Sequence, residues 1–177
     1  MKNFLLAFVC VCFTTICISQ NDIYYGIRGA LNVSNLDFDP DATFENKHRN
    51  GFAFAGFVQF GLSEDVLLRT ELQWSAQGGK EESLRADYIQ LPILLELSVS
   101  ERLSLGVGPQ LALKTWEEND GFSTFTFSGV FGAEYMITDE LFIDARYYYG
   151  LSNILEEDIS DSEAKNHVIQ FGFGIKI

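Results

Sequence analysis

After its opening segment the chain has no cysteine at all, because Cys10, Cys12 and Cys17 lie within the first nineteen residues. That excludes a disulfide, a thiolate metal site and a cysteine nucleophile from everything that follows. A small exported domain without disulfides needs another source of stability, and a closed barrel with every strand paired supplies one. Long apolar runs are missing from the same region. A spanning helix takes about 20 such residues, so any crossing of a membrane is made with strands. Basic residues are scarce: 12 Lys and Arg stand against 25 Asp and Glu, for a net charge of −13. Nucleic acid is excluded as a partner, since binding it needs clustered Lys and Arg.

What is present begins with an export signal. Lys2 precedes an apolar stretch over residues 4–18, interrupted only by Thr14 and Thr15, and polar residues follow from Ser19. This layout predicts a secretory signal peptide over residues 1–19, cut after Ser19, and one domain over residues 20–177. No Leu-Ala-Gly-like run precedes any of the three cysteines, so lipid attachment is not expected.

The remaining chain alternates with a period of two. Ile23, Tyr25, Ile27, Leu31 and Val33 are apolar where Arg28, Asn32 and Ser34 are polar. Leu68, Thr70, Leu72 and Trp74 oppose Arg69, Glu71 and Gln73. Ile143, Ala145, Tyr147 and Tyr149 oppose Asp144, Arg146 and Gly150, and Phe171, Phe173 and Ile175 oppose Gln170, Gly172 and Gly174. Eight segments of this kind follow one another. Each is roughly 10 to 14 residues long, enough for a tilted strand to cross a bilayer in about 9 to 11. Soluble strands are nearer five or six.

The connections alternate too. Leu62-Ser63-Glu64-Asp65-Val66, Val99-Ser100-Glu101-Arg102-Leu103 and Ile137-Thr138-Asp139-Glu140-Leu141 are copies of one tight turn, in which Ser, Thr and Asp favour turning by bonding nearby backbone. Between them run longer polar stretches, from Asp37 to Asn50, Gly78 to Asp87, Glu117 to Ser123 and Glu156 to Asn166. Short turns at one end and long loops at the other predict an all-β fold, an eight-stranded antiparallel up-and-down transmembrane β-barrel. Its long loops face outward from the cell, and it is expected to be a monomer whose first partner is outer-membrane lipid.

The polar faces are then the lumen. They carry Arg28, Arg69, Lys114, Arg146 and Lys176 together with Glu71, Glu96, Glu134 and Asp144, a mixed set suited to filling a narrow interior with ion pairs. Arg69 with Glu71 or Glu96, and Asp144 with Arg146, are the expected pairs. On the apolar faces, Tyr25, Phe60 and Tyr135 mark one girdle; Phe54, Trp74, Phe125, Tyr147 and Tyr149 mark the other. The alternative is a soluble lipocalin-like barrel with an apolar, ligand-holding lumen and the charges solvated outside.

Several stretches together resemble the PorT-like outer-membrane β-barrel family: Tyr88-Ile89-Gln90-Leu91-Pro92-Ile93-Leu94-Leu95, Gly106-Val107-Gly108-Pro109-Gln110, and Asp144-Ala145-Arg146-Tyr147-Tyr148-Tyr149-Gly150-Leu151. Gly26-Ile27-Arg28-Gly29-Ala30-Leu31 and the glycine-rich last strand also fit it. The resemblance implies an outer-membrane barrel and brings no catalytic residue with it. Ile177 departs from the aromatic that commonly ends such chains, with Phe171 and Phe173 close upstream.

Chemistry beyond the lumen is sought in the loops. Asp37, Asp39, Asp41 and Glu45 crowd the first, and Glu156, Glu157, Asp158, Asp161 and Glu163 the last. Carboxylates are the right ligands for calcium, but the Gly and distal Glu of an EF-hand are missing, and a solvated acidic surface is the simpler expectation. No cofactor is expected. Catalysis would have to use His48 or His167, with Asp37, Ser123 or Ser152 brought near, and the spacing does not point to it. A non-enzymatic role in recognition through Asp37, Asp39, Asp41, Trp116, Glu156, Glu157 and Asp158 is expected instead. Phe38, Phe44, Trp116 and Phe122 are loop or rim aromatics that either anchor a partner, pack the loops on one another or sit at the membrane surface. The possible protein partner is another envelope component, as in an assembly or secretion system. No second domain follows the last strand, so anchoring to peptidoglycan through one is not expected.

Overall fold

Alternation of this length, repeated eight times, has one arrangement that satisfies every backbone group inside hydrocarbon: strands closed on themselves. The computed structural model describes residues 23–40, 47–117, 122–155 and 163–177. The predicted signal peptide lies outside the described residues, as do Asp41, Phe44, Glu45, Glu156, Glu157, Asp158 and Asp161. The strands are β1 (Ile23–Asp39), β2 (Arg49–Gly61), β3 (Val66–Gly78), β4 (Arg85–Ser98), β5 (Leu103–Glu117), β6 (Phe125–Met136), β7 (Leu141–Gly150) and β8 (Glu163–Lys176). Each pairs antiparallel with its neighbours in sequence, and β1 pairs with β8 to close the barrel. Tyr25 and Ile177 exchange two backbone hydrogen bonds of 2.8 Å at the foot of that seam.

The faces divide as the alternation predicts. Ile27, Phe54, Leu72, Phe131 and Phe171 are all more than half exposed on the outside, while Arg28, Arg69, Glu71 and Gln73 are buried inside. Large apolar side chains exposed right around a wall are a lipid-facing surface. Along β1 this belt runs from Tyr25 to Asn35, which pairs with His167 and so shares a row with Tyr149. Ten residues at about 3.3 Å each, tilted by about 40°, climb about 25 Å, the height of the apolar band in such barrels.

The three short turns are built alike. Leu62 donates to the Val66 carbonyl at 2.7 Å, Val99 to Leu103 at 2.8 Å and Ile137 to Leu141 at 2.7 Å. Ser100 Oγ accepts from the Leu103 amide at 3.1 Å, and Thr138 Oγ1 from the Leu141 amide at 3.0 Å.

The other end differs from the sequence expectation. Strands run on past the membrane, so Asp37 and Asp39 belong to β1, Trp116 to β5 and Glu163 to β8. Above the bilayer both faces of a strand can be polar, so alternation fades there while the hydrogen-bonded ladder continues. The connection from β3 to β4 opens at Gly78, whose φ is 97°, and passes through a single 3-10 turn at Glu82–Leu84.

Candidate functional site: the lumen and the outer rim

The inward side chains of all eight strands meet in the lumen, and their charges pair across it. Arg28 donates to both Asp144 oxygens at 2.6 and 2.5 Å, and to Gln73 and Gln170 at 3.1 and 2.8 Å. Arg146 grips Glu71 through two bonds of 2.8 Å. The Arg69 guanidinium lies 2.5 Å from Glu134, 3.3 Å from Glu96 and 3.7 Å from Glu71. Lys176 reaches Glu134 at 3.1 Å from the tight-turn end, and the Gln59 amide donates to Glu96. Arg28, Arg69, Arg146 and Lys176 thus balance Glu71, Glu96, Glu134 and Asp144, so the cluster is neutral as a whole. Neutrality matters because one unpaired charge left in such a place is strongly destabilising.

The expected pairs are present, Arg69 with Glu96 and Glu71 and Asp144 with Arg146, but the shortest contacts go to other strands. Asp144 and Arg146 lie 3.7 Å apart, and each makes its short bonds to another strand. Residues two apart on a strand sit side by side on one face, whereas the narrow lumen brings facing strands within reach. Lys114 is also corrected: it lies at the outer rim, where its ammonium bonds Glu117 and the Phe122 carbonyl, away from the central cluster.

Glycines make the room. A Cβ on Gly172 would lie 2.6 Å from Asp144 Oδ1 and 2.7 Å from Arg28 Nε. On Gly132 it would meet Arg146 Cγ at 2.8 Å.

The lumen also has an apolar part, which the charged residues of the polar faces do not announce. Phe57 and Phe142 meet edge to face at 5.8 Å, with the Arg69 guanidinium 4.4 Å from the Phe57 centroid. Leu94, Val130, Tyr148 and Val168 form a second cluster. At the outer mouth Leu36, Ala86, Tyr88, Ala112, Phe122, Ile154 and Ala164 pack together, with Phe38 against them. Phe57, Tyr88, Phe142 and Tyr148 all fall on the polar parity of their strands, and that was the available signal. An amide pair, Gln73 to Gln90 at 2.6 Å, crosses the interior as well.

At the rim, Asp37 stands opposite Lys165 and Asp39 opposite Glu163. His167 Nε2 is 3.8 Å from Asp37 Oδ2, and its ring lies 4.7 Å from Tyr149 and 6.2 Å from Tyr147. His48 is exposed and forms a bridge with Gly79. Ser152 Oγ accepts from the Phe127 amide at 2.8 Å, and Ser123 Oγ donates to the Leu155 carbonyl at 3.2 Å. Of the rim aromatics, Trp116 is exposed, whereas Phe122 packs in the mouth cluster, the second of the arrangements open to it. Among the described residues no three His, Asp, Glu or Cys side chains gather as a metal site.

A closed eight-stranded barrel with a lipid-facing exterior and an ion-paired interior is an outer-membrane β-barrel protein. Residues 18–156 match the family described as outer membrane protein beta-barrel domain, and the chain belongs to it. The match ends before β8, the strand that completes closure. None of the curated proteins matches the chain. Among solved structures it is similar to Ail, the attachment invasion locus protein of Yersinia pestis. The identity is 16% and the TM-score 0.55, over 87% of this chain and 98% of Ail. Neisserial surface protein A (NspA) is similar at 11% identity and a TM-score of 0.55, over 90% of this chain and 99% of that one. Ail in complex with the heparin analogue sucrose octasulfate matches at 18% and 0.54, over 88% and 99%. Likeness at these identities is likeness of fold.

Proposed function

We propose that the protein is a non-enzymatic, non-conducting barrel with a structural or surface-interaction role, carried by its polar outer rim. The observation behind this reading is the filled lumen, where cross-strand ion pairs and the mouth cluster around Phe122 occupy the interior. Recognition then falls to the strand extensions and connections above the membrane, which include Asp37, Asp39 and the exposed Trp116. In sequence, Asp41 follows β1, and Glu156, Glu157 and Asp158 precede β8. A sulfated-glycan ligand of the kind bound to Ail suits a basic surface and fits poorly with a chain of net charge −13. A protein surface with complementary basic residues suits it better.

In a second reading the barrel is an accessory of an envelope assembly or secretion system, meeting its partner through the same rim. Crosslinking in intact envelopes from a photoreactive residue at Trp116 or Asp39 tests the surface role. Discrete protein adducts are the expected result, and the assembly reading expects them to be other envelope components. Labelling of lipid and solvent alone would contradict both.

A further inference from the structure

We infer that the lipid-facing wall of β2, β1 and β8 carries a seat for one acyl chain of a membrane phospholipid. An open apolar groove of about 520 Å³ runs there, with Phe54, Phe173, Ile27 and Ile175 as its sides. Its floor is Gly29 and Gly56, and both face outward. These glycines differ from those of the lumen. A Cβ on Gly56 would have nothing within 4 Å, and one on Gly29 would meet only the Phe54 ring at 3.8 Å. The fold itself leaves this space unfilled, and no neighbouring side chain requires it to stay open.

The position of the groove decides its occupant. Ile27 and Gly29 lie just above the Tyr25 girdle, inside the hydrocarbon belt and towards the tight turns. In barrels of this kind that is the periplasmic half of the bilayer. A void against hydrocarbon forfeits dispersion contacts on every wall, so a chain from the adjoining leaflet enters it. A chain lying there touches protein on three sides. A smaller groove of about 420 Å³ lies between Ala133, Ile143 and Phe171, whereas along β4 the large side chains of Leu91, Leu95 and Leu97 project outward.

The test uses the full mature barrel in bilayers containing phosphatidylethanolamine with a diazirine in one acyl chain. Labelling is expected to be severalfold higher over residues 27–29, 54–56 and 173–175 than over residues 91–97. It should fall to the β4 level in a Gly29→Leu/Gly56→Leu variant whose heat-modifiable migration shows that it has folded. Gly56→Leu alone, placed where nothing lies within 4 Å, keeps the test open if the double variant does not fold, and should lower the excess. Equal labelling around the barrel would overturn the inference. So would crosslinked barrel pairs joined across the groove, which would make a second copy the occupant.

Discussion

At the residue scale, each carboxylate of the central cluster faces a cation or an amide donor on a different strand, and single substitutions there break pairs. Asp144→Ala leaves Arg28 buried beside two neutral glutamines. Losing one partner of a buried pair costs about 3–5 kcal/mol, while replacing both with apolar residues is far milder. Urea unfolding in lipid vesicles should therefore show a large loss for Asp144→Ala and substantial recovery for Arg28→Met/Asp144→Leu. Equal losses in the two would contradict the pairing. Gly172→Ala places a methyl group 2.6 Å from Asp144 Oδ1; overpacking of this kind costs about 1–3 kcal/mol, and the same unfolding measurement reads it.

At the element scale, strand ends are where sequence and structure part. The membrane-crossing portions were legible because lipid outside and a polar lumen inside impose opposite requirements on successive residues, as at Ile27 and Arg28. Above the bilayer that contrast disappears, so Asp37, Asp39 and Glu163 read as loop although they form ladder. Pairing of Arg69 with Glu96 and Glu71 was legible, but its shortest contact, to Glu134, and that of Asp144, to Arg28, were not, because they depend on which strands face each other across the lumen. Whether Phe122 packs inward or stands free is open in the sequence, because a connection can fold back into the mouth without any periodicity to announce it.

Two predictions belong to this scale. Asp39 and Glu163 are like charges directly opposite each other on β1 and β8. Such a pair is destabilising by up to about 1 kcal/mol, so Asp39→Asn should raise the urea midpoint slightly, and more at low salt. Gly78 holds a φ of 97°, and a Cβ there would lie 2.0 Å from the Leu84 carbonyl oxygen. Gly78→Ala should cost at least about 1 kcal/mol and loosen the link from β3 to β4, visible as faster amide exchange at Gly79 and Leu84.

At the scale of the whole molecule, the charge is distributed unevenly. The paired central cluster is neutral, so the net charge of −13 resides outside it. That division lets the chain remain acidic without setting uncompensated charge inside the bilayer. The proposed non-conducting role rests on the same paired side chains in the lumen. Recording from the purified, folded barrel in planar bilayers tests this most directly. A silent membrane with no stable conductance steps is the expected result. Sustained, reproducible single-channel steps from folded monomer would contradict it.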